Sequence, residues 1–267
     1  MRQLPDRGQT HEVTSPSSND PGLYGRSFAE IYDEWYGDAF DTAGAVEALL
    51  RLSPRGSILE LGIGTGRLAL PIAATGRRVV GIDASEEMLD QLRLREGADS
   101  IATVCGDMAS VADELGREGI SDTFRLAFCA FNTLLNLNDA DSLTRCLAQT
   151  RSLLEPDGRL VIEAFVPVDH ASIPAHSLSP ARVRSDAAVF IETRFDPATL
   201  ILDGQHIEVR SSSVSRRPWS VLLFGPENID DAAERAGLVL VDRWSDWSGA
   251  DFNEASTTHI SMYAPTM

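Results

Sequence analysis

Glu60, the run Gly62-Ile63-Gly64-Thr65-Gly66, and Asp83 lie at spacings that hold a small ligand carrying a ribose. The glycines let a backbone turn approach such a ligand with no Cβ in the way. Asp83 follows the apolar run Val79-Val80-Gly81-Ile82, with Ala84 beside it, and is placed to meet two sugar hydroxyls. A dinucleotide fingerprint needs G-x-G-x-x-G and rests a pyrophosphate on a helix N-terminus. Here the glycines fall as G-x-G-x-G, and Arg67 stands where the third dinucleotide glycine belongs. Glu60, just before the loop, repels a pyrophosphate but suits a cation. A nicotinamide oxidoreductase is therefore the disfavoured rival.

These residues need strands to end at the loop and helices to follow it. Ser57–Leu61 reads as the first strand, Gly66–Thr75 as its helix and Arg78–Asp83 as the second strand. Ser85 caps a helix whose first turn carries Glu86 and Glu87. Ile101–Cys105 is a third strand ending in Gly106-Asp107-Met108. The continuous apolar run Phe124–Phe131 predicts a central parallel strand buried on both faces. A helix over Asp141–Leu154, a turn at Glu155–Gly158 and a fifth strand over Arg159–Phe165 complete an α/β, doubly wound, Rossmann-like rhythm. Ahead of it lie two helices, Ser27–Tyr36 and Thr42–Leu52.

After the fifth strand the pattern changes. Val189–Phe195, Leu200–Ser211 and Trp219–Phe224 are strand-like, with turns at Asp196-Pro197 and Asp203-Gly204 and no helix between them. They predict an antiparallel β insertion. A helix over Glu227–Ala236 and strands over Leu238–Trp244 and His259–Tyr263 restore the α/β order. The organisation read from this is a leader at 1–22 expected to be mobile, a helical lid at 23–52, a core from 53–166 and 225–267, and the insertion at 167–224. That insertion is expected to form part of a substrate pocket or a dimer surface.

A net charge of −17 disfavours nucleic acid, whose phosphates need a basic face. No apolar run reaches the ~20 residues of a membrane helix, and the N-terminus has no signal-peptide core, so the expectation is a cytoplasmic protein. The three cysteines show no metal or redox spacing and read as buried free thiols. Asn136–Asp141 runs into a helix, where Asn and Asp cap, and no metal is expected.

The loop residues, Asp83 and Asp107 together resemble the motifs of the class I S-adenosylmethionine (SAM)-dependent methyltransferases. The likeness covers about residues 24–265. It is nearest to the small-molecule, secondary-metabolite branch, with actinobacterial amino-sugar and lincosamide N-methyltransferases. The resemblance implies a seven-stranded sheet with its last strand antiparallel, and SAM as cofactor. It implies a loop formed by Gly62, Gly64 and Gly66 and places Glu60 near the cofactor's methionine end. It gives Asp107 the adenine amino group, with Met108 lining the ring; the residue alone equally reads as a turn or cap. Arg67 either pairs with the cofactor's carboxylate or is an exposed first-turn residue.

In this family the end of the fourth strand faces the transferred methyl. Phe131 and Asn132 stand there as an aromatic wall and a polar handle, or Phe131 is simply the last core residue of its strand. The Asn/Asp-Pro-Pro-aromatic pattern of DNA and protein-glutamine enzymes is absent. In this branch a Tyr-Asp helix closes over the cofactor, and Tyr32-Asp33 matches it. Tyr32 and Tyr36 are expected at the methionine part. Phe28 and Trp35 read as packing, and Tyr24 as a lid residue.

The candidate catalytic residues are thus Tyr24, Phe131 and His170. If the nucleophile is a neutral amine, an aromatic face stabilises the cation that forms and no strong base is required. If it is a hydroxyl, a base is needed, and His170 and His176 lie at the predicted mouth. His206 and His259 read as structural, and His11 belongs to the leader. The sequence therefore favours a SAM-dependent transfer to a small-molecule acceptor, at nitrogen ahead of oxygen, in a possible homo-oligomer. A non-catalytic SAM-binding regulator is the remote rival.

Overall fold

The computed structural model describes residues 20–36 and 41–266. Most of the 1–22 leader, with His11, lies outside these residues, and so does the chain between the first helices and the core.

The central sheet has seven strands: β1 (Ile58–Leu61), β2 (Val79–Asp83), β3 (Ile101–Cys105), β4 (Phe124–Cys129), β5 (Leu154–Phe165), β10 (Leu238–Trp244) and β11 (Thr258–Pro265). Their order is β10-β11-β5-β4-β1-β2-β3. The first five run parallel, and β11 is antiparallel to both β5 and β10. The topology reverses beside β1, which opens a crevice at the carboxyl ends of β1 and β4.

Helices cover both faces, as strands apolar on both sides require. On one face α3 (Thr42–Leu52), α4 (Ala69–Ala73) and α5 (Glu86–Arg93) bury Leu49, Ile72, Leu89 and Leu92. On the other, α6 (Val111–Arg117), α7 (Ala140–Leu153) and α8 (Pro226–Arg235) bury Leu115, Leu147 and Ile229. Ser85 accepts from Met88 N to start α5, and Asp139 forms a capping box with Ser142 to start α7. Asp139 is thus a capping residue of α7.

Several elements depart from the sequence reading. The expected helix over Ser27–Tyr36 is broken into α1 (Leu23–Phe28) and α2 (Tyr32–Tyr36). The turn at Glu155–Gly158 is absorbed in β5 as an irregularity: Phe124 pairs with Leu154, while Leu126 pairs with Arg159. Cys105 is exposed; Cys129 and Cys146 are the buried thiols.

The insertion is a sheet of four strands rather than three: β6 (His176–Val183), β7 (Ala187–Asp196), β8 (Ile201–Arg210) and β9 (Val214–Leu222), all antiparallel. β6 is an edge strand of Ser, Pro and Arg with little buried surface, so it carries no hydrophobic signal. Asp203-Gly204 is no turn. Gly204 lies inside β8 because a Cβ there would stand 2.2 Å from the Trp219 ring. α1 packs on β9 and α5, which sets the second sheet against the carboxyl end of the first. No helix of the described residues is long and apolar enough to cross a membrane.

Candidate functional site

The loop after β1 is held open by its glycines. Gly62, Gly64 and Gly66 have φ of +71°, +55° and +83°. A side chain at Gly62 would collide with Thr133, and one at Gly66 with Leu92, whereas a Cβ at Gly64 would meet nothing within 4 Å. Gly64 therefore opens directly onto the crevice. The loop amides are spent internally: Gly62 N and Ile63 N donate to Ile82 O, Gly66 N to Ile63 O, and Gly64 N to Asp83 Oδ2. A pyrophosphate cradle needs such amides aimed at the ligand. This loop does not supply them, and the helix after it, α4, has only five residues.

Two carboxylates give the site its charge. Asp83 accepts from Gly64 N at 2.8 Å and, through Oδ1, from Ser85 N at 2.9 Å. Burial raises its pKa, and these backbone donors pull it back down. Glu60 is 4% exposed, and its Oε2 has no hydrogen-bond partner. Burial pushes its pKa well up, with Arg67 opposing. A buried carboxyl that accepts from the Ala69 amide but leaves Oε2 unpartnered, just behind the loop, fits a nearby ligand that brings positive charge.

The crevice is a cavity of about 350 Å³. Gly62, Gly64, Asp83, Ala84, Asp107 and Met108 line it together with Tyr24, Tyr32, Tyr36, Phe131, Asn132 and residues of the second sheet. Asp107 Oδ1 accepts from Ala109 N at 2.8 Å, so the same carboxylate caps the next turn and faces the cavity. Tyr24 stacks on Phe28, Tyr32 packs against Tyr36, and Tyr36 against Phe131. Burial raises the pKa of Tyr24 and Tyr32, so both phenols stay protonated. Thr65 Oγ1 donates to Asp33 Oδ1 at 2.9 Å, tying α2 to the glycine loop.

Phe131 and Asn132 are not the end of a regular strand. Both adopt left-handed backbone, at φ +51° and +62°, which costs a non-glycine residue about 1–2 kcal/mol each. Glu163 on β5 holds the turn: Phe131 N donates to Glu163 Oε2, and Trp247 Nε1 donates to Oε1, both at 2.8 Å. Asn132 Oδ1 accepts from Phe165 N at 2.7 Å. The kink directs Phe131 out of the core and onto the cavity wall.

Four of the residues named from the sequence lie off that wall. Glu60, Gly66 and Arg67 stand behind the loop, where Arg67 reaches Thr42 Oγ1 at 3.3 Å. His170 also lies off it, because its Nε2 is 3.0 Å from Leu223 O and its ring packs near Phe195. His176 is exposed at the start of β6. The histidine that does line the cavity is His206, with Trp219 beside it. Neither had a signal in the sequence, because only the β8–β9 register brings them to the site. His259, by contrast, is fully buried on Ser261, away from the cavity.

A doubly wound sheet with a cation-suited glycine loop and an acidic residue ending β2 defines an α/β enzyme that binds a nucleoside ligand. Residues 58–158 match the methyltransferase-domain family. The CcbJ methyltransferase of Streptomyces caelestis is 31% identical to this chain, with a TM-score of 0.84, and covers 93% of this chain and 100% of its own. A SAM-dependent methyltransferase from Clostridium acetobutylicum, 15% identical with a TM-score of 0.74, shares the fold over 91% of this chain and 99% of its own. The cypemycin N-terminal methyltransferase of a Streptomyces species is 26% identical over 57% of this chain and 60% of its own length. The chain spans a little over half the length of the curated relatives it matches. It belongs to the SAM-dependent methyltransferases.

Proposed function

We propose that the protein transfers the SAM methyl group to a nitrogen of a small-molecule amine. The supporting observation is the chemistry of the wall. On the wall of the cavity stand Tyr24, Tyr32, Tyr36, Phe131 and Trp219. The carboxylates on the wall, Asp83 and Asp107, already hold backbone amides. His206 is the wall's imidazole, and its Nδ1 lone pair already accepts from Trp219 Nε1. Among the described residues, the wall offers a hydroxyl nucleophile no imidazole nitrogen free to accept its proton. A neutral amine needs none, and aromatic faces stabilise the cation it becomes by ~0.5–2 kcal/mol.

When bound, SAM supplies an electrophilic methyl carbon. The chain's own residues hold and shield it. In this reading Asp83 accepts from the ribose hydroxyls and Asp107 from the adenine amino group, with Met108 against the ring. Glu60, through the loop, favours the cationic methionine end. The helices α1 and α2 act as the lid: they bring the three tyrosines over the crevice, and Asp33 latches α2 to Thr65. Closing that lid excludes water and aligns the amine with the methyl, an orientation worth up to ~7–11 kcal/mol. The inserted sheet completes the acceptor pocket.

The test is product analysis after incubation with SAM and paired amines and alcohols on matched carbon skeletons. N-methylated products with stoichiometric S-adenosylhomocysteine are expected. Methyl found on oxygen, with the amines untouched, overturns the reading.

A further inference from the structure

The inserted sheet presents a graded face to the cavity. Side chains alternate along a strand, and Leu202 pairs with Val221, Gly204 with Trp219, His206 with Arg217 and Glu208 with Ser215. One face therefore runs from apolar, through indole and imidazole, to charged. The apolar end and the His206–Trp219 pair line the cavity.

His206 is fixed on every side. Phe28 and Trp35 meet its ring edge-on, with centroids 5.2 and 5.5 Å away. Trp219 Nε1 donates to its Nδ1 at 3.1 Å. An indole N–H only donates, so Nδ1 must carry a lone pair and the neutral ring keeps its proton on Nε2. Burial and the nearby Arg182 and Arg217 guanidiniums lower the imidazole's pKa to about 4, which keeps the ring uncharged at neutral pH. Nε2 has no hydrogen-bond partner among the described residues. The arrangement depends on Gly204, since any Cβ there would strike the indole that sets the tautomer.

We infer that His206 is the residue that orients the acceptor: it offers Nε2–H to an oxygen of the acceptor molecule. The preferred substrate is then an amine that also carries a carbonyl or carboxylate oxygen close to its nitrogen. Trp219 is a positioning residue that acts through His206, and Gly204 makes room for it. The substrate class rests on the methyl-transfer reading above; the donor role rests on the sheet's own geometry.

The two are tested separately on the full chain saturated with S-adenosylhomocysteine. Long-range ¹H–¹⁵N NMR reads the His206 tautomer, first alone and then with prolinamide, proline or pyrrolidine. Protonation at Nε2 is expected, with a shift of that nitrogen on adding prolinamide or proline but not pyrrolidine. A larger response to proline than to prolinamide identifies the oxygen as a carboxylate, and the reverse as a carbonyl. A proton on Nδ1, or equal responses to all three probes, overturns the inference whatever the enzyme methylates.

Turnover supplies the second arm. Wild-type kcat/KM is expected to be at least tenfold higher for prolinamide than for pyrrolidine. His206→Phe should erase that preference through KM, while His206→Gln, whose amide still donates, keeps part of it. Gly204→Ala, checked for folding by circular dichroism, should behave as His206→Phe does. SAM affinity should stay unchanged in all three. Absence of transfer to any amine, with the NMR result intact, refutes the nitrogen reading and leaves the donor role standing.

Discussion

Removing the carboxylate of Glu163 should unfasten the turn that presents Phe131. That carboxylate accepts Phe131 N and Trp247 Nε1, and so joins the end of β4 to the loop between β10 and β11. Hydrogen bonds to a charged acceptor contribute ~1.5–3 kcal/mol each. Glu163 is half-buried, so water softens the loss and the lower figure applies. Glu163→Ala should then cost about 3 kcal/mol, and Glu163→Gln, which retains one acceptor oxygen, about half as much. With the brace gone, the left-handed strain at Phe131 is no longer offset and that residue relaxes toward ordinary backbone, while Asn132 keeps its bonds to Phe165 N and Glu163 O. The stability change is read from urea unfolding at pH 7.5, and the functional change from steady-state kinetics with SAM. Turnover should fall at least tenfold in the Gln variant while the SAM dissociation constant moves less than threefold, because the proposed cofactor contacts Asp83 and Asp107 follow other strands. A Glu163→Gln protein within about 0.5 kcal/mol of wild type and fully active would refute the bracing argument.

Asp83→Asn should weaken SAM binding at least tenfold in calorimetry and also lower stability, since both carboxylate oxygens hold loop amides; unchanged affinity removes the ribose assignment. Tyr24→Ala should lower turnover more than cofactor affinity, and full activity in that variant takes Tyr24 out of the site. The contribution of His206 and His259 to stability should fall as pH drops from about 6.5 to about 4 and then level off. Burial and nearby cations hold both His206 and His259 at a pKa of about 4, against an ordinary value of 6.5. The unfolded chain therefore binds protons over that range before the folded one does. His259 is fully buried and should contribute on the order of 3 kcal/mol to this fall. The buried carboxyls Glu60 and Asp83, with raised pKa, act in the opposite sense. The measurement is therefore the difference between wild type and His259→Gln in urea melts at pH 7.5 and 4.5, and equal pH profiles contradict it.

The parallel half of the fold was legible because each strand there is a short apolar run ended by a residue with a distinct role: Glu60 and Gly62, Asp83, Asp107. Those signals are local, and so Gly62, Gly64, Asp83 and Asp107 could be named from the chain alone as residues that line the cavity. The acceptor end could not. β6 was invisible because an exposed edge strand has no apolar alternation, and Gly204 looked like a turn because its reason for being glycine is a tryptophan 15 residues away in sequence. His170 was favoured for following β5, but a 3-10 turn over His170–Ser172 directs it to a backbone carbonyl instead. The Phe131–Asn132 kink was hidden for a related reason. Its left-handed backbone is imposed by Glu163, a partner that only the sheet brings near.

A crystal structure with bound S-adenosylhomocysteine tests the central claim most directly. The ribose hydroxyls should lie on Asp83, the adenine amino group on Asp107, and the sulfur should face Tyr24 and Phe131 with His206 Nε2 across the acceptor space. A nucleoside seated elsewhere, or a histidine or carboxylate acceptor within hydrogen-bond reach of the methyl position, would contradict it.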